Sequence, residues 1–199
     1  IILLHCNYAS HKIFDVLTKQ LAPNYTVYAI DSRGHGKSQK HSEYDYPTMA
    51  EDIAQFIKTL HSQKPILYGY SDGGILGLII ASKYPDMLSK LIVSGANMDI
   101  TGQTKSALRL VKFGHFITRD KRLKLILDQP ALPYDMLKNI TVPTLVLAGE
   151  HDMIKREHTQ KIADSIKGSQ LKIIEGESHG SYISHSPKLY PIIKLFLEE

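Results

Sequence analysis

The chain has 199 residues, 43% of them hydrophobic and 22% charged, with one cysteine and no tryptophan. This composition excludes a collagen-like, low-complexity or disulfide-stapled chain, and no apolar run approaches the roughly 20 residues that cross a bilayer. A lone Cys6 makes a reducing, cytoplasmic setting the expectation. The 24 basic and 20 acidic residues leave a formal charge of +4. Between Thr101 and Pro130 lie seven basic residues against two acidic ones, so the excess is local, and no nucleic-acid module accompanies it.

In chain order, short apolar runs alternate with segments of helical period. Ile1–His5 reads as a strand buried on both faces. Ile13, Phe14, Leu17 and Leu21 follow at helical spacing and stop near Pro23. Tyr25–Ile30 reads as a second strand, and Met49, Ile53, Phe56, Ile57 and Leu60 form the clearest amphipathic stripe. Ile66–Tyr70 is a third strand, Gly74–Tyr84 an apolar helix and Leu91–Ser94 a fourth strand. Residues 99–140 break the alternation with a basic, Leu-rich helical segment, expected to be a small lid between an N-terminal core part (1–98) and a C-terminal one (141–199). The pattern then resumes with the strand Thr144–Ala148, the helix Glu157–Lys167, the strand Leu171–Ile174 and the helix Pro187–Leu197. Such repetition predicts one α/β unit, a mostly parallel sheet with helices on both faces.

Gly69-Tyr70-Ser71-Asp72-Gly73-Gly74 falls where a strand meets a helix. A nucleophile on so sharp a turn needs small residues two before and two after it, here Gly69 and Gly73. A serine hydroxyl also needs a base, and the base needs an orienting group. Asp152 and His179 each follow an apolar strand, and parallel strands end at one rim of their sheet. Ser71, Asp152 and His179 should therefore converge, in the chain order Ser…Asp…His. Glu150 and Glu175 compete for the acid's role, but Asp152 lies beyond the strand end, where a loop can present it. Asp72 has two readings, a carboxylate facing solvent or one meeting a cationic group on a substrate. Gly36-Lys37-Ser38 and Gly34-His35-Gly36 fail as phosphate-binding motifs, and no histidine has zinc-site spacing, so no metal and no cofactor is expected.

Leu3-Leu4-His5-Cys6-Asn7, Asp31-Ser32-Arg33-Gly34-His35-Gly36-Lys37-Ser38, the Ser71 turn, Gly149-Glu150-His151-Asp152 and Ser178-His179-Gly180 together resemble the α/β-hydrolase superfamily of serine hydrolases. The stretch from Ser71 through Lys83-Tyr84-Pro85 to Gly95-Ala96-Asn97 is similar to biphenyl-hydrolase-like (valacyclovir-hydrolase-type) esterases. The resemblance implies an oxyanion hole made by the backbone N–H groups of Asn7 and Asp72, and a small-molecule ester as substrate. It departs at Cys6, where a His-Gly pair is usual. Peptidase, perhydrolase or C–C hydrolase chemistry would keep the same triad, and a non-catalytic ligand-binding homologue is the rival from another class. A monomer or homodimer is expected, with no stable membrane insertion, although the basic, apolar 99–140 segment also suits contact with a membrane surface.

Overall fold

The computed structural model describes residues 1–40, 43–60 and 64–199. Six parallel strands form the sheet: β1 (Ile2–Leu4), β2 (Tyr28–Ile30), β3 (Ile66–Tyr70), β4 (Lys90–Ser94), β5 (Thr144–His151) and β6 (Gln170–Ser178), in the spatial order β2-β1-β3-β4-β5-β6. Because successive side chains on a strand point to opposite faces, the apolar runs feed two cores at once. Ile2 and Leu4, Leu67, Leu91 and Val93, and Val146 face one core. Leu3, Tyr68 and Tyr70, Ile92, and Leu145 and Leu147 face the other. The doubly buried strands thus explain runs with no polar alternation.

The first core is covered by α2 (Tyr46–Thr59), α3 (Asp72–Lys83) and α6 (Arg156–Asp164), the second by α1 (Asp15–Leu21) and α7 (Leu189–Glu198). The start of α2 follows from its residues. Asp45 is the N-cap, its carboxylate accepting from the Thr48 N–H at 2.7 Å, and Pro47 stands in the first turn, where its missing N–H is harmless. The expected stripe on α2 buries Met49, Ile53 and Ile57. Helix α3 is apolar all round and lies buried almost throughout, as its sequence predicts.

Between β4 and β5 the chain forms α4 (Lys105–Thr118), α5 (Lys121–Leu127) and 3-10 turns at Ile100–Gly102 and Tyr134–Asn139. The predicted element order holds, and several bounds move. The second strand is only Tyr28–Ile30, and α3 starts at Asp72 rather than Gly74. Strands β5 and β6 outrun their apolar segments by three and four residues. In those extensions Glu150, His151, Glu175, Gly176 and Ser178 are exposed, so the hydrogen-bonded ladder continues where the covering helices stop.

Candidate active site

All six strands run the same way, so β1, β3, β4, β5 and β6 deliver their following residues to one rim. Ser71 sits between β3 and α3 with φ 54° and ψ −114°, a strained conformation for a residue with a Cβ. Its N–H donates to the Ser94 carbonyl at 2.8 Å and its carbonyl accepts from the Ile75 N–H at 3.0 Å, which pins the turn between sheet and helix. The turn is tight enough that a Cβ on Gly69 would lie 2.2 Å from the Gly73 carbonyl oxygen, and one on Gly73 would lie 2.2 Å from the Leu4 carbonyl oxygen. Both obstacles are backbone, so only glycine fits either place.

Ser71 Oγ caps no helix N–H and lies 3.1 Å from His179 Nε2. His179 Nδ1 is 2.6 Å from Asp152 Oδ1. The Ile154 N–H also donates to Asp152 Oδ1 at 2.8 Å, and the Gly149 N–H to Oδ2 at 3.4 Å, so three donors fix the plane of a carboxylate that is nearly fully buried. Gly95, with φ 60°, leaves room for the imidazole: a Cβ there would stand 2.7 Å from His179 Cε1. The Tyr70 ring packs against the imidazole, with centroids 5.1 Å apart. The three residues predicted to converge are thus joined in one hydrogen-bonded line. Glu150 is engaged elsewhere, accepting from the Gly176 N–H at 2.8 Å, and Glu175 is exposed on β6. Asp152 does follow its strand, but by a single residue.

The loop after β1 approaches the same turn. His5 is buried and bridges two backbone groups: Nδ1 donates to the Cys6 carbonyl at 2.7 Å and Nε2 accepts from the Ser32 N–H at 3.1 Å. A carbonyl only accepts and an N–H only donates, so these partners fix a neutral tautomer. Burial pushes the His5 imidazole down to about 4. Cys6, the departure from the family pattern, is half-buried beside the second core, and burial raises its thiol to about 12. The strained residue of the loop is instead Tyr8, with φ 58°.

Asp72 overturns the solvent-facing one of its two readings. Its carboxylate is buried, not solvent-facing, and its partners are neutral: Tyr46 Oη donates to Oδ1 at 3.1 Å and Asn7 Nδ2 to Oδ2 at 2.9 Å. Burial pushes it up to about 6, against the opposing pull of those two hydrogen bonds. Asn7 Nδ2 also donates to the Arg122 carbonyl at 3.0 Å, and the Arg122 guanidinium lies 3.9 Å from the Tyr8 ring centroid. The sequence assigns no role at the site to Tyr46, Tyr70, Gly95 or Arg122, because each reaches it through a contact distant along the chain. The backbone N–H of Asp72 opens a helix, where N–H groups have no intrahelical acceptor.

A cleft of about 440 Å³ opens onto Asp152 and His179 and is walled by Thr104, Ala107, Leu110 and Met153. Among the described residues no group of three or more His, Cys, Asp or Glu side chains is placed to hold a metal ion.

The chain is 28% identical over 204 residues to human "Serine hydrolase BPHL", a match covering 87% of this chain and 70% of that protein. It is 26% identical to "AB hydrolase superfamily protein YisY" of Bacillus subtilis, covering 98% of this chain and 90% of the relative. Among solved structures, a lipase-esterase related protein from Clostridium acetobutylicum superposes with a TM-score of 0.83 at 21% identity, covering 98% and 93% of the two chains, a likeness that bears on the fold alone. The sequence profile described as "alpha/beta hydrolase fold" matches residues 1–116, more than half of the chain, and the protein belongs to that family.

Proposed function

We propose that the protein is a cofactor-independent serine hydrolase of small carboxylic esters. The observation that carries this reading is the continuous line from Asp152 Oδ1 through His179 to Ser71 Oγ, at 2.6 and 3.1 Å. Ser71 Oγ attacks the ester carbonyl as His179 Nε2 takes its proton. Asp152 holds the imidazole with its acceptor nitrogen toward the serine and stabilises the imidazolium that forms. The negative charge on the former carbonyl oxygen is met by the backbone N–H groups of Asn7 and Asp72, aided by the positive end of α3. Collapse expels the alcohol, which leaves with the proton from His179. Water then attacks the Ser71 acyl ester with His179 again as base, and the acid is released.

The names of relatives agree with this class, the human one being a serine hydrolase. The same triad would serve a peptidase, perhydrolase or C–C hydrolase, and the cleft wall from the 99–140 segment would set that choice. The non-catalytic alternative is weakened because all three residues are present and in register.

A chromogenic ester panel varying acyl length and α-amino substitution tests the reading. Turnover should fall by several orders of magnitude in Ser71→Ala and in His179→Ala, with the double variant little worse, because the groups act as a unit. Asp152→Asn should lose on the order of 10⁴-fold through the wrong tautomer. An organophosphorus ester should label the peptide containing Tyr70-Ser71-Asp72 and abolish turnover in proportion. A folded protein that takes no label and cleaves no ester overturns the proposal.

A further inference from the structure

Helix α4 is inverted relative to an ordinary surface helix. Its inner side is thin: Ala107 is buried, while Leu108, Val111 and Gly114 are half-buried, with Gly114 against Leu123 of α5. Its outer side carries Leu110, Phe113, Phe116 and Ile117, each between 62% and 72% exposed. These are four of the eight large hydrophobic residues exposed among the described residues. Leu110, Phe113 and Ile117 recur at i, i+3 and i+7, so they share a stripe. Alongside runs a second stripe, Lys105, Arg109 and Lys112 at i, i+4 and i+7, ending in Phe116. Helix α4 contains no acidic residue, and these three cations enter no ion pair among the described residues.

An occupant of this face must be apolar and anionic at once, in adjoining strips. A second copy of the chain would offer cations to cations. A grooved protein partner would seat a stripe at i, i+3 and i+7 but must also carry carboxylates along one edge for three cations, whereas an anionic bilayer offers both strips everywhere on its surface. Large apolar side chains beside Lys and Arg on one helix are the composition of interfacial helices. We infer that the outer face of α4 docks on an anionic phospholipid bilayer. Leu110, Phe113, Phe116 and Ile117 enter the boundary between headgroups and acyl chains, while Lys105, Arg109 and Lys112 meet the phosphates. Leu110 also lines the cleft that holds Asp152 and His179, so the docked protein presents its mouth to the surface. Delivery of a long-chain ester by that route rests on the esterase reading. The docking itself does not.

Co-sedimentation of the whole protein with extruded vesicles tests the inference. The protein should pellet with an equal mixture of phosphatidylcholine and phosphatidylglycerol, and only weakly with phosphatidylcholine alone. Ser71→Ala should bind equally, which separates docking from catalysis. Phe113→Ser/Phe116→Ser/Ile117→Ser should lower partitioning about tenfold or more at any salt concentration, with no loss in melting temperature. Lys105→Gln/Arg109→Gln/Lys112→Gln should abolish the preference for the anionic vesicles and its salt sensitivity. Failure to pellet with the anionic vesicles overturns the inference, as does binding indifferent to the apolar triple substitution. A dimer that the same substitution dissociates, without vesicle binding, assigns the face to a second copy instead.

Discussion

The sheet rim and the insertion between β4 and β5 treat the same residue types in opposite ways. At the rim, charged and titratable groups are buried with named partners: Asp152 with three donors, Asp72 with Tyr46 and Asn7, and His5 with two backbone groups. On α4, large apolar side chains stand in the open. A buried hydrogen-bonded network fixes one geometry, because each lost partner leaves a desolvated group. An exposed apolar helix face fixes little within the chain. The contrast separates a part of the molecule built for position from a part built for contact.

Adding one methyl group to each region tests that contrast most strongly. Gly73→Ala sets a Cβ against the Leu4 carbonyl, at the crossing of α3 and β1, and neither backbone can yield without moving Ser71. Its unfolding free energy should drop by about 4 kcal/mol or more, or the protein should fail to accumulate folded. Gly114→Ala places its Cβ 3.1 Å from the end of the Leu123 side chain, which can rotate away. That variant should gain about 0.5–1 kcal/mol from helix propensity. Urea denaturation of both proteins reads the difference, and equal effects would erase the distinction between the regions.

How much of this was legible beforehand follows the same division. Strand and helix order could be read because the apolar runs of the inner strands are dictated by burial on both faces, as in Leu3-Leu4 and Leu91-Ile92-Val93. The convergence of Ser71, Asp152 and His179 could be read because the glycine-flanked turn marks Ser71 and parallel strands end at one rim. The strand ends could not. Glu150 and His151 carry no apolar signal, and the β5–β6 register shifts between Gly149 and His151, although pairing continues to Ser178. The burial of Asp72 was also illegible, since its partners Asn7 and Tyr46 stand 65 and 26 residues away. On α4 the sequence shows a basic, Leu-rich helical segment, but which of its apolar side chains stay exposed depends on how α4 packs on the rest of the fold.

Titration should sharpen the comparison further, because the rim holds two buried groups that move in opposite senses. Asp72, pushed up to about 6, keeps its proton more tightly when folded, so its contribution to stability declines as pH rises from about 4 to about 6. His5, pushed down to about 4, takes a proton less readily when folded, so its contribution declines as pH falls from about 6.5 to about 4. The two slopes nearly cancel in the wild type. Asp72→Asn should therefore leave a steeper acid loss, and His5→Gln should leave stability that improves toward pH 4. Each variant's difference from wild type should change by on the order of 2–3 kcal/mol between pH 4 and pH 7. Urea midpoints across that range decide it, and parallel pH profiles for all three proteins would contradict the assignment.

The smallest expected effects lie in the loop where the two regions meet. Cys6 is half-buried and packs beside the second core, whereas Tyr8 lies beneath Arg122 of α5. Only Tyr8 holds a positive φ, at 58°, so glycine would be conformationally preferred at Tyr8 and not at Cys6. Cys6→Gly removes a half-buried thiol and adds backbone freedom to the unfolded chain, both unfavourable, and should lower stability by about 1 kcal/mol without raising turnover. Tyr8→Gly relieves a left-handed backbone worth about 1 kcal/mol, but loses the contact with the Arg122 guanidinium and an exposed hydrogen bond with Asp120, and adds the same unfolded-state freedom. Those terms oppose, so its stability should stay within about 0.5 kcal/mol of wild type. Measured side by side by urea denaturation, the pair should separate in that order. The reverse order, with Cys6→Gly the more stable and faster protein, would mean that the family's glycine is missed after all.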